Sequence, residues 1–324
     1  IMSTWLDRPL SIAGRVVVKE DGKLVTRLVN IDRDLCVIPN VAIHFNREIN
    51  KGFAYNPQVD LLPLYGGGAG EEKEKKNSLK KLCADTLGIE EEQILASDLY
   101  LYCREKGRRM GVEGEFIGSP RLDDLQCAYG TLMGFLASEK GKEDRAAAGE
   151  YGAVYALFDN EEIGSGTKQG ADSTFLSDII DCICDACGRN GMQKRDILSE
   201  SFLLSADNAH GVHPNHPEKS DPTNRPYLNG GIVLKFQGSQ KYTTDAYSAA
   251  VIRDICREQD IPCQNFANRA DVPGGSTLGN ISSAHVSIPA ADIGLAQLAM
   301  HSAFETAGEK DTEYLVRLCQ GFFR

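Results

Sequence analysis

Residues 153–166 read AVYALFDNEEIGSG, an apolar run from Ala153 to Phe158 that gives way to Asp159, Asn160, Glu161 and Glu162 and then to glycines. Paired carboxylates after an apolar run are either a solvated turn or a working pair, because neighbouring side chains in a loop diverge. In the second case one glutamate ligates a metal while the other takes a proton from water as general base. Asp207 stands in the same way after SFLLSA, Asp123 and Asp124 stand where a helical pattern begins, and His301 follows AQLAM. Singly, each has a structural explanation: a turn residue, a helix N-terminal charge favoured by the macrodipole, a satisfied core histidine. Together, carboxylates from two strand ends, a helix-start aspartate and an imidazole make the donor set of a dinuclear metal site. Such donors suit zinc, manganese or cobalt, and one carboxylate can bridge two ions about 3.5–4 Å apart.

Other reactive residue types carry less. His210, His213 and His216 are spaced by three, but Pro214 and Pro217 interrupt them, so they cannot line one face of a regular helix and read as a substrate-contacting loop. Cys182, Cys184 and Cys187 lie in TFLSDIIDCICDAC, whose apolar residues recur at helical spacing. No second thiol pair completes a four-ligand set, so the expectation is buried small hydrophobes on a helix. The stretch GGGAGEEKEKKN from Gly66 lacks the Gly-Lys-Ser/Thr of a phosphate loop and reads as a surface loop, followed by a short helix that Gly88 ends.

The elements that must position these residues fall into two textures. The first reads as β-rich: SIAGRVVV and KLVTRLVNI flank Asp21-Gly22, a hairpin signal, and LCVIP follows. From about residue 116 strands alternate with amphipathic helices. LDDLQCAYGTLMGFLASEK, Ser173 to Cys187, TTDAYSAAVIRDICRE and AQLAMHSAFETAG read as helices, and AVYALF, SFLLSAD and GIVLKFQ as strands. The expected fold class is α/β, a mixed β-sheet flanked by helices over 116–324, joined to a β-rich domain over 1–115. In such sheets, ligands gather where buried strands run out.

Composition bounds the function. A chain of 324 residues, 42% hydrophobic, buries a sizeable core, and a net charge of -11 excludes a general nucleic-acid or anionic-membrane binder, which needs a basic face. No window reaches the roughly 18 apolar residues that cross a bilayer, and IMSTWLDRPL is not a signal peptide, so a cytoplasmic location is expected. Ten cysteines spread over a long chain point to a reduced compartment.

RLDDL (121–125), DNEEIGS (159–165), SADNAHGVHPNH (205–216), PGGSTLGN (273–280) and QLAMHS (297–302), in that order, resemble the M18 metallo-aminopeptidases, the aspartyl aminopeptidase and aminopeptidase I group. TWLDRPLSIAGRV and IPNVAIHFNREINKGF extend the resemblance over the whole chain. It implies that Asp123 bridges two divalent ions, zinc first with manganese or cobalt as alternatives. Asp207 would hold one ion, Glu162 with His301 the other, and Glu161 would be the general base. The implied reaction is hydrolysis of the N-terminal peptide bond of peptide substrates, with an acidic N-terminal residue as one candidate preference. His44 would reach a neighbouring subunit's site, and His210 and Lys235 would contact substrate, although a lysine on an apolar strand can also simply snorkel. The resemblance further implies a dimerisation role for 1–115 and dimers built into a tetrahedral homo-dodecamer. It also implies one more histidine ligand upstream of TWLDRPL; the six histidines are 44, 210, 213, 216, 285 and 301. Part of the catalytic domain is therefore expected to precede Ile1. A deacylase on the same scaffold and a catalytically inactive assembly protein remain as alternatives.

Overall fold

The computed structural model describes residues 1–67, 78–138 and 152–323. The loop expected from Gly66 falls mostly outside them, at 68–77, as does the end of the helix expected over 122–140. Two compact units emerge, one of residues 1–107 with His301–Phe304 and one of 108–300 with 305–324. The boundary falls before Arg108 rather than after residue 115, because Arg108–Met110 pairs with Phe116–Ser119 in the sheet of the second unit.

The first unit is built on a three-stranded antiparallel sheet in the order β2-β1-β3. Strands β1 (Leu10–Glu20) and β2 (Lys23–Asn30) form the expected hairpin, with Asp21 at φ 48° and Gly22 at φ 78°, the pair of positive φ values that a tight turn matched to strand twist requires. Two helices follow, the single turn α1 (Pro57–Asp60) and α2 (Leu79–Leu87). Ser78 caps α2 at its start, and Gly88, at φ 67°, ends it as expected. The other edge of β1 pairs with β3 (Ile94–Cys103). Ile12, Val16, Val18, Val29 and Ile94 pack with Cys83 and Ala84 of α2 into one core.

The second unit carries a mixed eight-stranded sheet. In chain order its elements are β4 (Arg108–Met110), β5 (Phe116–Ser119), α3 (Leu122–Ser138), α4 (Phe175–Ala186), α5 (Gly191–Glu200), β6 (Leu203–Ala206), β7 (Ala209–His210) and β8 (Ile232–Phe236). Then come α6 (Ala246–Glu258), β9 (Cys263–Ala267), α7 (Leu278–Ser283), β10 (Ala290–Leu298), β11 (Glu305–Gly308) and α8 (Asp311–Phe322). The strand order is β4-β5-β11-β10-β8-β9, with β6 and β7 also pairing β10. Buried from Ala290 to Gln297, β10 is the spine of the sheet. Ile232, Leu234, Ile293 and Leu295 of the sheet pack on Ile252 of α6 and on Leu315 and Leu318 of α8. Helix α3 lies close to α8: a Cβ on Gly134 would stand 2.4 Å from Cys319 Cβ, so only glycine fits there. No helix among the described residues is long and apolar enough to cross a membrane.

Three expectations are overturned. AVYALF is not a buried strand: 152–158 belong to no strand, and Val154 and Leu157 are 48% and 61% exposed. The segment attaches through side chains instead. Tyr155 Oη donates to Ala128 O at 2.9 Å, and its ring stacks on Phe135. A strand exists only with a ladder partner, and none of the described strands pairs with this run. Secondly, AQLAMHSAFETAG is not a helix but the end of β10, a turn and β11, with Gln297 opposite Ala307. Positive φ at Ala299 (59°) and His301 (64°) turns the chain there, and the last long helix is α8. Thirdly, α4 forms as expected, but only Cys184 of its three cysteines is buried; Cys182 and Cys187 are exposed.

Candidate metal centre

The second unit brings Asp123, Asp124 and Asp207 together. Asp207 follows β6, and its N–H donates to Ile293 O at 3.1 Å, which ties it to β10. Gly294 permits that approach, since a Cβ there would sit 2.1 Å from Asp207 O. Asp123 and Asp124 open α3 with non-helical torsions, and Asp123 N–H donates to Glu305 Oε2 at 3.0 Å on β11. One carboxylate oxygen from each of Asp123, Asp124 and Asp207 lies within 4.8 Å of the others, and Asp123 stands equally close to Glu162. Glu161 and Glu162 occupy a single 3₁₀ turn, Glu161–Ile163, which Asn160 (φ 62°) and Gly164 (φ 99°) start and stop with left-handed backbone. The first residue of that turn is half-buried and the second exposed.

Crowded acids raise one another. Burial, then the charges of Asp207, Glu162 and Glu305, hold the Asp123 carboxyl well above the usual carboxylate range. Burial and the Asp207 charge do the same to Asp124, and Glu161 is pushed up to about 7 by burial, Asp207 and Glu162. Lys235 answers part of this charge. It is 2% exposed, its Nζ donates to Asp207 Oδ2 at 3.1 Å, and it stands 5.6 Å from the centre of the Tyr242 ring. Burial opposes the ammonium, but Asp207, Tyr242 and Asp292 outweigh it and raise its pKa. Lys235 therefore does not snorkel to solvent. A close set of hard oxygen donors carrying excess negative charge fits a divalent cation, which supplies the missing positive charge without the bulk of more side chains.

The histidine candidates are carried by other elements. His210 ends β7, its ring 6.0 Å from that of Phe266. The rings of His213 and His216 stand 5.2 Å apart in the following loop, where His213 Nδ1 accepts from Asn215 N and His216 faces Glu218. Neither belongs to a metal-ligating cluster among the described residues. His301 opens the turn His301–Phe304, which groups with the first unit, and its carbonyl accepts from the Ile1 amino group. His44 of the first unit is exposed between exposed Ile43 and Phe45. Sequence reasoning missed Glu305, which sits in FETAG with no spacing to mark it, and Asn208, hidden behind its acidic neighbour.

The family model for aminopeptidase I zinc metalloprotease (M18) matches residues 1–323. The chain belongs to the M18 family. It is accordingly a metal-dependent aminopeptidase, a hydrolase of the zinc metalloprotease kind. Among similar proteins, the "Probable M18 family aminopeptidase 2" of Clostridium acetobutylicum is 47% identical over 325 residues, covering 100% of this chain and 73% of the relative. A cryo-EM structure of the Ape4 and Nbr1 complex matches with a TM-score of 0.91 and 35% identity, over 100% of this chain but 64% of the matched chain. The S. cerevisiae mApe1 dodecamer matches with a TM-score of 0.80 and 26% identity, over 100% of this chain and 70% of the matched one. As an M18 member, the chain has the expected mixed α/β fold.

Proposed function

We propose that the carboxylate cluster holds two divalent ions, zinc first, and hydrolyses the N-terminal peptide bond of peptides. In this reading Asp123 would serve both ions, Asp207 would hold one, and Glu162 with His301 would hold the other. When bound, the ions supply Lewis acidity at the scissile carbonyl and make water a better nucleophile at neutral pH. Glu161 accepts the proton of the attacking water and returns one to the leaving amine. Glu305 fixes the backbone of Asp123, and Lys235 orients Asp207. His210, at the end of β7, and His44, on its exposed apolar loop, are the substrate-contacting residues. Lys235 meets an acidic substrate side chain only by sharing its three N–H donors with Asp207, so a preference for acidic N-terminal residues is a matter of competition between two carboxylates. Dimerisation through the first unit, dodecamer assembly like that of the mApe1 relative, and a cytoplasmic location complete the reading; ten free cysteines support the last.

The observation that carries the proposal is the convergence of Asp123, Asp124 and Asp207 within 4.8 Å, with Glu162 beside Asp123. Exchanging Glu161 for Gln in the full-length protein lowers kcat on aminoacyl-anilides by about 10²–10⁴-fold with zinc content unchanged, whereas Glu162→Ala loses zinc. If the two variants behave alike in metal analysis, the division of labour is wrong. Hydrolysis of N-acyl amino acids but not of aminoacyl-anilides would identify a deacylase instead.

A further inference from the structure

Behind the acidic cluster lies a group of three carboxamides that the proposed chemistry does not use. Asn208, Gln126 and Gln297 are 2%, 7% and 1% exposed. They belong to the turn after β6, to α3 and to β10. Two hydrogen-bond arrangements are possible for the group. In one, Asn208 Nδ2 donates to Gln126 Oε1 at 2.9 Å, Gln126 Nε2 donates to Thr312 Oγ1 at 3.0 Å, and Gln297 Nε2 stays buried with no acceptor. An unmet buried N–H₂ bears its desolvation cost with no hydrogen bond to offset it. In the other, all three amides are turned over. Asn208 then donates to Leu122 O at 3.2 Å and to Asp124 Oδ1 at 3.3 Å, and its oxygen faces the ends of Gln297 at 3.2 Å and Gln126 at 2.9 Å. With both glutamines reversed, each donates N–H to that oxygen, and Thr312 Oγ1 donates to the Gln126 oxygen. Each amide nitrogen then has an acceptor, and the chain of donors ends on a carboxylate, where a hydrogen bond is strongest.

We propose that Asn208 is a positioning residue for the metal centre, donating to Asp124 while Gln126 and Gln297 donate to its oxygen. The inference rests on the metal-centre reading above. Asn208 is joined directly to Asp207, and Asp124 directly to Asp123, so one side-chain bond between the second members of the two pairs sets the separation of the first members. Both glutamines keep the carboxamide from rotating. Outer hydrogen bonds of this kind orient ligands and typically change metal affinity by about 10–100-fold when removed.

The test is zinc affinity, measured by competition with a chromophoric chelator on the full-length protein, beside kcat and KM. Asn208→Ala weakens zinc binding by about 10–100-fold and lowers kcat more than it raises KM. Gln126→Glu does the same, because it replaces the N–H that Asn208 needs with an oxygen; in the opposite arrangement Gln126→Glu keeps its acceptor and is tolerated. Val16→Ala, a change in the separate core of the first unit, serves as the control for lost stability and leaves zinc affinity unchanged. Asp207→Asn separates the two ideas. If it loses zinc while Asn208→Ala and Gln126→Glu bind zinc and turn over like the parent, the positioning role is overturned and the metal centre stands. If Asp207→Asn itself binds zinc like the parent, the metal centre falls and this inference with it.

Discussion

Arg104 of the first unit reaches two carboxylates at once, Asp32 and Asp34, whose side chains are 80% and 72% exposed. Lys235 of the second unit serves Asp207, and the two side chains are 3% and 13% exposed. Beside Arg104 the Asp32 carboxyl is pulled below its ordinary range by that guanidinium. Around Lys235 the Asp124 and Glu161 carboxyls are pushed up, because burial and like charge outweigh the cation. The first arrangement is what a stable surface settles into. The second costs stability, and buried acids perturbed in this way are concentrated at functional sites. The contrast separates the two units more sharply than their strand content does.

Lys235→Met gives the largest expected effect. It strands the buried Asp207 carboxylate among other acids, and breaking a buried pair by removing one partner costs about 3–5 kcal/mol. Denaturant unfolding with metal removed by a chelator measures it. The double variant Asp207→Leu with Lys235→Met recovers part of the loss, since removing both charges also removes the desolvation they suffer. A Lys235→Met protein as stable as the parent would mean that this pair is no more buried in its consequences than a surface one.

The next effect is a pH dependence at Asp311, a fully buried residue that accepts from Asn229 N at 2.7 Å and Gly231 N at 3.0 Å. Burial raises its carboxyl to about 6, against the pull of those two N–H groups. A carboxyl raised in the folded state binds its proton more tightly there than in the unfolded chain. Its contribution is therefore most favourable below its unfolded pKa near 4 and is lost as pH rises toward 6. Asp311→Asn removes that slope: between pH 4 and pH 7 its stability relative to the parent rises by up to about 3 kcal/mol, whatever constant offset the lost acceptor imposes. A parallel pair of pH–stability curves would show that Asp311 titrates normally.

Much of both units was legible because the signal was local. Asp21-Gly22 specified its hairpin, Gly88 ended a helix, and Asp123 and Asp207 were singled out by opening or following regular elements, whereas Glu161 and Glu162 were singled out by following an apolar run that forms no strand. What could not be read depends on residues far apart in the chain. Ala296 to Gly308 looks helical from its Ala, Leu and Gln content; it is the end of β10, a turn and β11 because those two strands pair with each other. AVYALF has a strand's composition and no ladder partner in the sheet. Glu305 comes to Asp123 across 182 residues, and the amide group behind the acids joins positions 126, 208 and 297. Their roles come from topology, which sequence spacing does not encode.

The smallest expected effect lies at Arg27, on the edge strand β2, whose guanidinium donates from Nε and Nη2 to Glu20 at 2.8–3.0 Å. The geometry is two-pronged and good, and if geometry alone set the value of an ion pair this one would rival Lys235 with Asp207. Exposure argues otherwise: the side chains are 53% and 29% exposed, so water already solvates both charges and ordering the long arginine consumes much of the attraction. Arg27→Met is expected to cost less than about 1 kcal/mol, and the difference should vanish in about 1 M salt, where screening acts within roughly 3 Å. Lys235→Met should keep its penalty at that salt concentration, because the low-dielectric surroundings of Asp207 admit few ions. Equal salt sensitivity in the two variants would show that solvent reaches both pairs alike, and the distinction between the two units would then rest on their folds and not on how they treat charge.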